Sequence, residues 1–353
     1  MTESISTGFV NPEILAALWL KGQDDQQKML LYSGLPASGK TKAALEWLAE
    51  DPNNRFRCNY DDLRLELFGL GWKFNFKDER FMQQIAHDRV VRAFQAGKSV
   101  VIDNTNLTPK SRERWKQVAQ KNNAIVIEEE FDTPVKLCKE RDAKREGTAR
   151  VGWAVIDHMA LFNGFLDFSD REIYPRNFCI FDVDGTLADC EWRRKFIQKK
   201  CVNCGAPEGK FPGQDNFSKV CIACGADISK KDWLSFFKGV GDDPPVAPII
   251  RLAKLLSKTF DILVVSGRPI DLCGKATEAW LRQHLVLEGR TPYPQHLFLR
   301  NSGDKRPDTE VKLEIAEMLP LDRIAYVIDD RSSVVQAWRR LGLTVLQCAE
   351  GNF

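Results

Sequence analysis

No apolar run in this chain of 353 residues approaches the ~20 needed to cross a bilayer. The first residues, MTESISTGFVNPEILAALWLKGQDD, lack the basic start, apolar centre and small-residue cleavage site of a signal peptide. Both absences point to a cytoplasmic protein with no membrane partner. A surplus of one charge is also missing, since 51 Lys and Arg stand against 49 Asp and Glu, a net of +2. That balance argues against a nucleic-acid coat or a membrane-surface protein and leaves room only for a local basic groove. Low-complexity segments are lacking, as are internal repeats beyond two similar cysteine pairs. What is present is ordinary for a globular protein, 43% apolar and 28% charged residues. This excludes disordered, collagen-like and coiled-coil chains and suffices for two cores.

The ten cysteines divide unevenly. Cys201/Cys204 and Cys221/Cys224 form two tight pairs, and the other six are scattered, mostly in apolar stretches. In a cytosolic chain this reads as one metal site and several buried thiols, not a disulfide framework.

Residues 1–27 read as an extension with one short amphipathic helix over 12–21. From Lys28, the strand-like runs KMLLYS, RFRCNY, SVVIDN and AIVIEEEF alternate with helical patterns near 41–49, 78–96, 110–122 and 134–144. The basic loop KREGTARVG interrupts this rhythm, and a helix over 153–166 is expected to close a first domain, 28–168. The alternation restarts with NFCIFDVDG, DILVVSGRP and RIAYVIDDR, among helices near 247–258, 272–284, 309–318 and 334–341, giving a second domain, 177–353. The fold class expected is α/β, with two parallel sheets each covered on both faces.

GLPASGKT, Gly34 to Thr41, fits G-x-x-x-x-G-K-[ST] between an apolar strand and a helix. Gly34, Ser38 and Gly39 let backbone N–H groups wrap a phosphate chain, Lys40 can reach the β/γ-phosphates, and Thr41 can hold Mg²⁺, so ATP is the expected ligand. A ligand-free Gly-rich turn is the alternative. Asp61, Asp62 and Arg64 follow the second strand, beside the phosphates. A carboxylate there can take a proton from an acceptor hydroxyl, and the arginine can hold an acceptor phosphate. Simple helix capping by Asp61 remains open. Asp103 is placed like the acid that supports Mg²⁺ in many P-loop enzymes. Arg141, Arg145 and Arg150 surround the interrupting loop and could form a lid over the γ-phosphate, or merely a solvated basic face.

FDVDGTLAD places Asp182 and Asp184 around a tight turn at a strand end. One can attack phosphorus and the other can pass a proton to and from the bridging oxygen. VVSGRP adds Ser266 and Arg268 for phosphate oxygens, Lys312 opens a later helix, and VIDDR adds Asp329 and Asp330 as Mg²⁺ ligands.

DVDGT, SGR, Lys312 and DD in this order resemble the haloacid-dehalogenase-type acyl-phosphatase superfamily. With the P-loop module ahead of them, the chain from about Lys28 onward resembles the bacteriophage-type polynucleotide 5′-kinase/3′-phosphatases. YDDLR, NTNL, KREGT, KLEIA and IDDRSSVVQAWRRLG agree with that likeness. The resemblance implies that Lys40 and Thr41 bind ATP, Asp61 is the general base for a 5′-hydroxyl, Arg64 binds the acceptor's 3′-phosphate, and Arg145 is the lid arginine. It implies Asp182 as nucleophile and Asp184 as acid/base. Arg193, Ser266, Arg268, Asp308 and Lys312 surround the phosphate, and Asp182, Asp184, Asp329 and Asp330 hold Mg²⁺. It also implies RNA or DNA ends as substrate, with an RNA or DNA ligase consuming the products. RNA against DNA and a homo-oligomeric state stay open. A small-molecule kinase fused to a metabolite phosphatase is the alternative; a binding module with degenerate enzyme domains is disfavoured by the presence of both residue sets. Asp103 stands one position before the acid of the phage pattern, and residues 1–27 have no counterpart in it.

The largest departure is CVNCGAP…CIACGAD, two C-x-x-C-G knuckles separated by sixteen residues. Cys201, Cys204, Cys221 and Cys224 are expected to form a closed, structural Zn²⁺ site inserted as a cap over 199–232. Lys199, Lys200, Lys210, Lys219, Lys230 and Lys231, with Phe211, Phe217, Trp233, Phe236 and Phe237, suggest that this insert holds a nucleic-acid strand; a solvated rigid cap is the alternative.

Overall fold

The computed structural model describes residues 26–72, 75–197, 204–206, 220–225, 232–289 and 291–351. The expected helix over 12–21, Cys201, the six insert lysines, Phe211 and Phe217 lie outside the described residues. The chain divides into two compact units, 1–141 and 142–353.

In the first unit, β1 (Lys28–Gly34), β2 (Arg55–Cys58), β3 (Ser99–Ile102) and β4 (Ile125–Phe131) form a parallel sheet in the order β2-β3-β1-β4. Its central strands are apolar on both sides because helices cover both. Met29, Leu31, Val100 and Ile102 pack on Met82, Ala86 and Val90 of helix Phe76–Gln95 and on Trp115 and Val118 of helix Pro109–Lys121. On the other face Tyr32 and Val101 meet Ala44 and Trp47 of helix Lys40–Glu50. A further helix, Tyr60–Phe68, begins where the sequence left capping by Asp61 open, but Asn59 is the residue that caps it. Its start is fixed by the Asn59 side chain, which accepts from the Asp61 and Asp62 amides.

In the second unit, β5 (Phe178–Phe181), β6 (Asp261–Pro269), β7 (His296–Arg300), β8 (Ile324–Arg331) and β9 (Val345–Gly351) form a parallel sheet in the order β7-β6-β5-β8-β9. Ile180, Leu263 and Val327 lie beneath Ile315 and Trp338 on one face. Phe181, Val264 and Ile328 lie beneath Ile250, Trp280 and Leu281 on the other. β7 and β9 are the two edges and were not anticipated from the sequence. The order sets β5 in the middle, flanked by β6 and β8, so the three acid- and arginine-bearing loops leave neighbouring strands at one end.

The division at 141/142 differs from the expected first domain of 28–168. Helix Trp153–Phe162 packs in the second unit, not the first. Ala154 and Leu161 join the second unit's core, and Asp157, buried beside them, accepts from the Leu297 amide at 2.9 Å and pairs with His296 Nδ1 at 2.7 Å. The other His296 ring nitrogen meets the Tyr174 hydroxyl at 2.9 Å.

Among the described residues no helix is long and apolar enough to cross a membrane. Cys58, Cys179, Cys190 and Cys273 are buried, and burial pushes each thiol up to about 12.

Candidate active sites

The GLPASGKT segment is a phosphate-type loop in shape. Gly34 holds φ +143°, and a Cβ there would meet the Phe131 carbonyl at 2.8 Å, so the tight turn against β4 requires glycine. Lys40 is buried, and its Nζ donates to the Gly34 carbonyl at 2.9 Å, the Leu35 carbonyl at 2.7 Å and Ser38 Oγ at 3.1 Å. The ammonium therefore sits folded into the loop that it would share with an anion. Thr41 Oγ1 donates to Asp103 Oδ1 at 3.3 Å. Asp103 is buried and also accepts from Arg57 Nε at 2.9 Å and Nη2 at 2.6 Å. Its place beside Thr41 fits the metal-supporting acid expected from its strand end. A hydroxyl and a buried carboxylate are donors that suit a hard divalent cation.

The acceptor residues are arranged less simply. Asp61 is 85% exposed and pairs with Arg64 Nη1 at 2.6 Å. Glu79, not anticipated, takes Arg64 Nε at 3.0 Å and Nη2 at 2.8 Å, so the expected phosphate-binding fork is held by a carboxylate. Asp62, rather than Asp61, connects to the Thr41–Asp103 pair, through Arg57 Nη1 at 2.5 Å. Arg145 falls in the second unit, where it donates to the Ala149 carbonyl and lies 3.9 Å from Asp142. Arg141, in the last turn of helix Val135–Ala143, touches the phosphate-type loop, donating to the Ser38 carbonyl at 3.2 Å.

In the second unit the sequence motifs converge at the carboxyl ends of β5, β6 and β8. Lys312 Nζ, buried, lies 2.9 Å from Asp182 Oδ1 and 2.9 Å from Asp329 Oδ2, with Asp308 at 3.8 Å. Asp182, Asp329 and Asp330 are buried and present oxygens within 4.8 Å of one another. Gly185, at φ +81°, makes this possible: a Cβ there would lie 2.2 Å from Asp330 Oδ2. Burial drives the Asp182 carboxyl well above the usual range against the pull of Lys312. Burial, with Asp329 alongside, lifts Asp330 to about 6. Three carboxylates facing one ammonium leave surplus negative charge in a dry place, and a divalent cation such as Mg²⁺ fits that donor set.

Asp184 is not part of that cluster. It turns to the arginines instead, accepting at Oδ1 from Arg193 Nη2 at 2.5 Å and from Arg268 Nη2 at 2.6 Å and Nε at 3.1 Å. Burial opposes its charge, but Arg268 and Arg193 hold its carboxyl down at about 2. Its side chain therefore faces the two expected phosphate-binding arginines and stands apart from the Asp182, Asp329 and Asp330 oxygens. Ser266 is buried, and its Oγ accepts from the Arg268 amide at 3.5 Å. Asp308 accepts from Arg300 at 3.3 Å and Arg331 at 3.4 Å. Asp243, which the sequence reading missed, accepts from both Arg193 and Arg268.

Of the two cysteine knuckles, Cys204, Cys221 and Cys224 bring their sulfurs within 4.8 Å of one another, with Cys204 and Cys221 3.5 Å apart. Thiolates around tetrahedral Zn²⁺ stand about 3.8 Å apart, so the three are spaced for such an ion. Cys201, the fourth expected ligand, lies outside the described residues.

Comparison with known proteins adds two family matches. Residues 227–353 match the model for the phosphatase domain of the polynucleotide kinase PNKP, and residues 29–161 match that for an AAA domain. The first match begins beyond Asp182 and Asp184, so it is folding that unites the DVDGT loop with the matched segment. A candidate bifunctional polynucleotide kinase/RNA ligase of Autographa californica nuclear polyhedrosis virus is 23% identical over 338 residues, 89% of this chain and 41% of the relative. The chain thus spans about two fifths of that relative's length. A chain of the solved Pnkp1/Rnl/Hen1 RNA repair complex is 21% identical, with 93% of this chain and 97% of that one covered at a TM-score of 0.34. A haloacid dehalogenase-like hydrolase from Streptococcus pneumoniae is 16% identical, with 49% and 84% covered at 0.32. The chain therefore carries a P-loop domain followed by a phosphatase domain of the polynucleotide kinase PNKP type.

Proposed function

We propose that this chain heals nucleic-acid ends: the first unit transfers the γ-phosphate of ATP to a 5′-hydroxyl of RNA or DNA, and the second removes a 3′-terminal phosphate. The observation that carries the reading is the buried grouping of Asp182, Lys312, Asp329 and Asp330 at the carboxyl ends of central strands. The PNKP-type match beside it favours polynucleotide ends over a small metabolite.

In the first unit, Lys40 would trade its loop carbonyls for phosphate oxygens. Thr41 and Asp103 would hold Mg²⁺, which screens the triphosphate charge when bound. Asp61 is proposed as the base that accepts the 5′-hydroxyl proton, with Arg64 released from Glu79 to bind the acceptor phosphate. Arg145 remains the proposed lid arginine, and Arg141 is already at the loop.

In the second unit, Asp182 attacks phosphorus, a P–O bond to its carboxylate forms, and the bond to the 3′-oxygen breaks. Asp184 gives the leaving oxygen a proton, then takes one from the water that cleaves the aspartyl phosphate. Arg193 and Arg268 hold Asp184 ionised in the free site. A phosphate settling on the same arginines occupies their charge and allows a proton onto Asp184. Ser266 and Asp308 would complete the phosphate's surroundings, and Mg²⁺ at Asp182, Asp329 and Asp330 would offset the charges brought together.

The products, a 5′-phosphate and a 3′-hydroxyl, are what an RNA or DNA ligase needs, and such a ligase is the proposed partner. Zn²⁺ on Cys204, Cys221 and Cys224, with Cys201 as fourth ligand, is proposed as a structural ion. The purified protein should carry one zinc per chain, and Cys221→Ser should lose it. End-labelled RNA and DNA oligomers with 5′-hydroxyl or 3′-phosphate ends test the main reading. Both conversions are expected; equal turnover of free nucleosides or sugars would replace it with the small-molecule alternative.

A further inference from the structure

We propose that Asp243 is a positioning residue of the second unit, setting the two arginines against the 3′-phosphate without touching it. The inference rests on the phosphatase reading above. Asp243 follows the short turn Val240–Asp242, just beyond the cysteine insert, and its side chain is 0% exposed. Its Oδ1 accepts from Trp192 Nε1 at 3.0 Å and Arg193 Nε at 2.7 Å. Its Oδ2 accepts from Arg193 Nη2 at 2.6 Å and Arg268 Nη2 at 2.8 Å. Trp280 Nε1 donates to its backbone carbonyl at 2.7 Å. Two indoles thus pin the residue that pins two guanidiniums.

The same guanidiniums reach Asp184 from the other side. The two carboxylates differ in access, because Asp184 is 19% exposed and Asp243 is sealed. A phosphate can arrive only where Asp184 stands. The remaining donors are also occupied: Arg193 Nη1 donates to the Phe236 carbonyl at 3.2 Å and Arg268 Nη1 to Thr277 Oγ1 at 3.0 Å. Each planar fork is therefore fixed in rotation before the ligand comes, which is what bidentate recognition of phosphate demands. Two buried guanidiniums sharing only Asp184 would repel one another, and the second carboxylate removes that conflict.

The test is Asp243→Asn, which keeps the shape but sets an amide N–H₂ against guanidinium donors. KM for a 3′-phosphorylated oligonucleotide and the inhibition constant of orthophosphate should both rise about tenfold or more, the loss of a charged buried hydrogen bond. A role confined to folding would lower kcat through the active fraction and leave both constants unchanged. Trp192→Phe, which removes one bond to Asp243 and keeps the carboxylate, should raise KM about threefold. Unchanged constants in Asp243→Asn overturn the proposal, as does an unchanged KM in Trp192→Phe should Asp243→Asn prove insoluble. Tighter orthophosphate binding also overturns it, since Asp243 would then merely compete with the ligand. A wild-type protein that releases no phosphate from 3′-phosphate ends refutes the phosphatase reading instead.

Discussion

Asp103 shows what one carboxylate can organise. It sits at the end of β3, between the Thr41 hydroxyl and the Arg57 guanidinium, and through Arg57 it reaches Asp62. Asp103→Asn keeps the volume but removes the charge that would sit beside Mg²⁺. It should depress phosphorylation of 5′-hydroxyl ends by about 100-fold or more while 3′-phosphate release is unchanged; Asp182→Asn should do the reverse. Loss of both conversions in either variant, read with end-labelled oligomers, would mean that the two sites are misassigned. Residues of this kind were legible where spacing encodes them. Gly34 to Thr41 has a fixed register around one anion, and Asp182, Ser266, Asp329 and Asp330 close strands. Asp243 was not legible, because it lies in DDPP, an ordinary turn sequence, and gains meaning only when folding sets Arg193 and Arg268 beside it. Glu79 was hidden likewise, as one exposed-looking acid in a helix until Arg64 closed on it.

At the level of elements, alternating apolar runs revealed the central strands because they are buried on both faces. The edges β7 and β9 escaped notice. HLFLR is apolar but follows a Pro-rich loop, and VLQCAEG has Leu346 exposed. Helix Trp153–Phe162 was found, but its allegiance was not, since periodicity names a buried face and not the sheet that buries it. The signal was Asp157, an acid within an otherwise apolar stretch, which needs a partner indoors. That helix also carries His158, stacked on Phe162 with ring centroids 4.2 Å apart and Nδ1 lacking a hydrogen-bond partner. Burial lowers its ring from the usual 6.5 to about 4. The neutral form is favoured by folding, so its contribution is intact above pH 6.5 and lost as the pH falls towards 4. His158→Phe should therefore become more stable relative to wild type by up to about 3 kcal/mol between pH 7.5 and 4.5, measured by urea unfolding. A constant difference across that range would show the ring to be solvated.

For the whole molecule, the division at 141/142 makes a claim about autonomy. A fragment beginning at Asp142 keeps Asp157 on His296 and on the Leu297 amide, whereas one beginning at Asn177, the boundary expected from sequence, leaves both without it. The shorter fragment should unfold at least about 3 kcal/mol more easily in urea, or fail to accumulate, while the longer one releases phosphate from 3′-phosphate ends. Equal stability of the two would return the helix to the first unit. The buried thiols carry a last consequence. Cys58, Cys179, Cys190 and Cys273 are enclosed and held protonated, and burial lifts the half-buried Cys348 to about 11, so at neutral pH these five offer alkylating reagents little thiolate. Maleimide uptake at Cys204, Cys221 and Cys224, resolved by peptide mass, would then gauge occupancy of the proposed Zn²⁺ site, low with the ion bound and rising when a chelator draws it off.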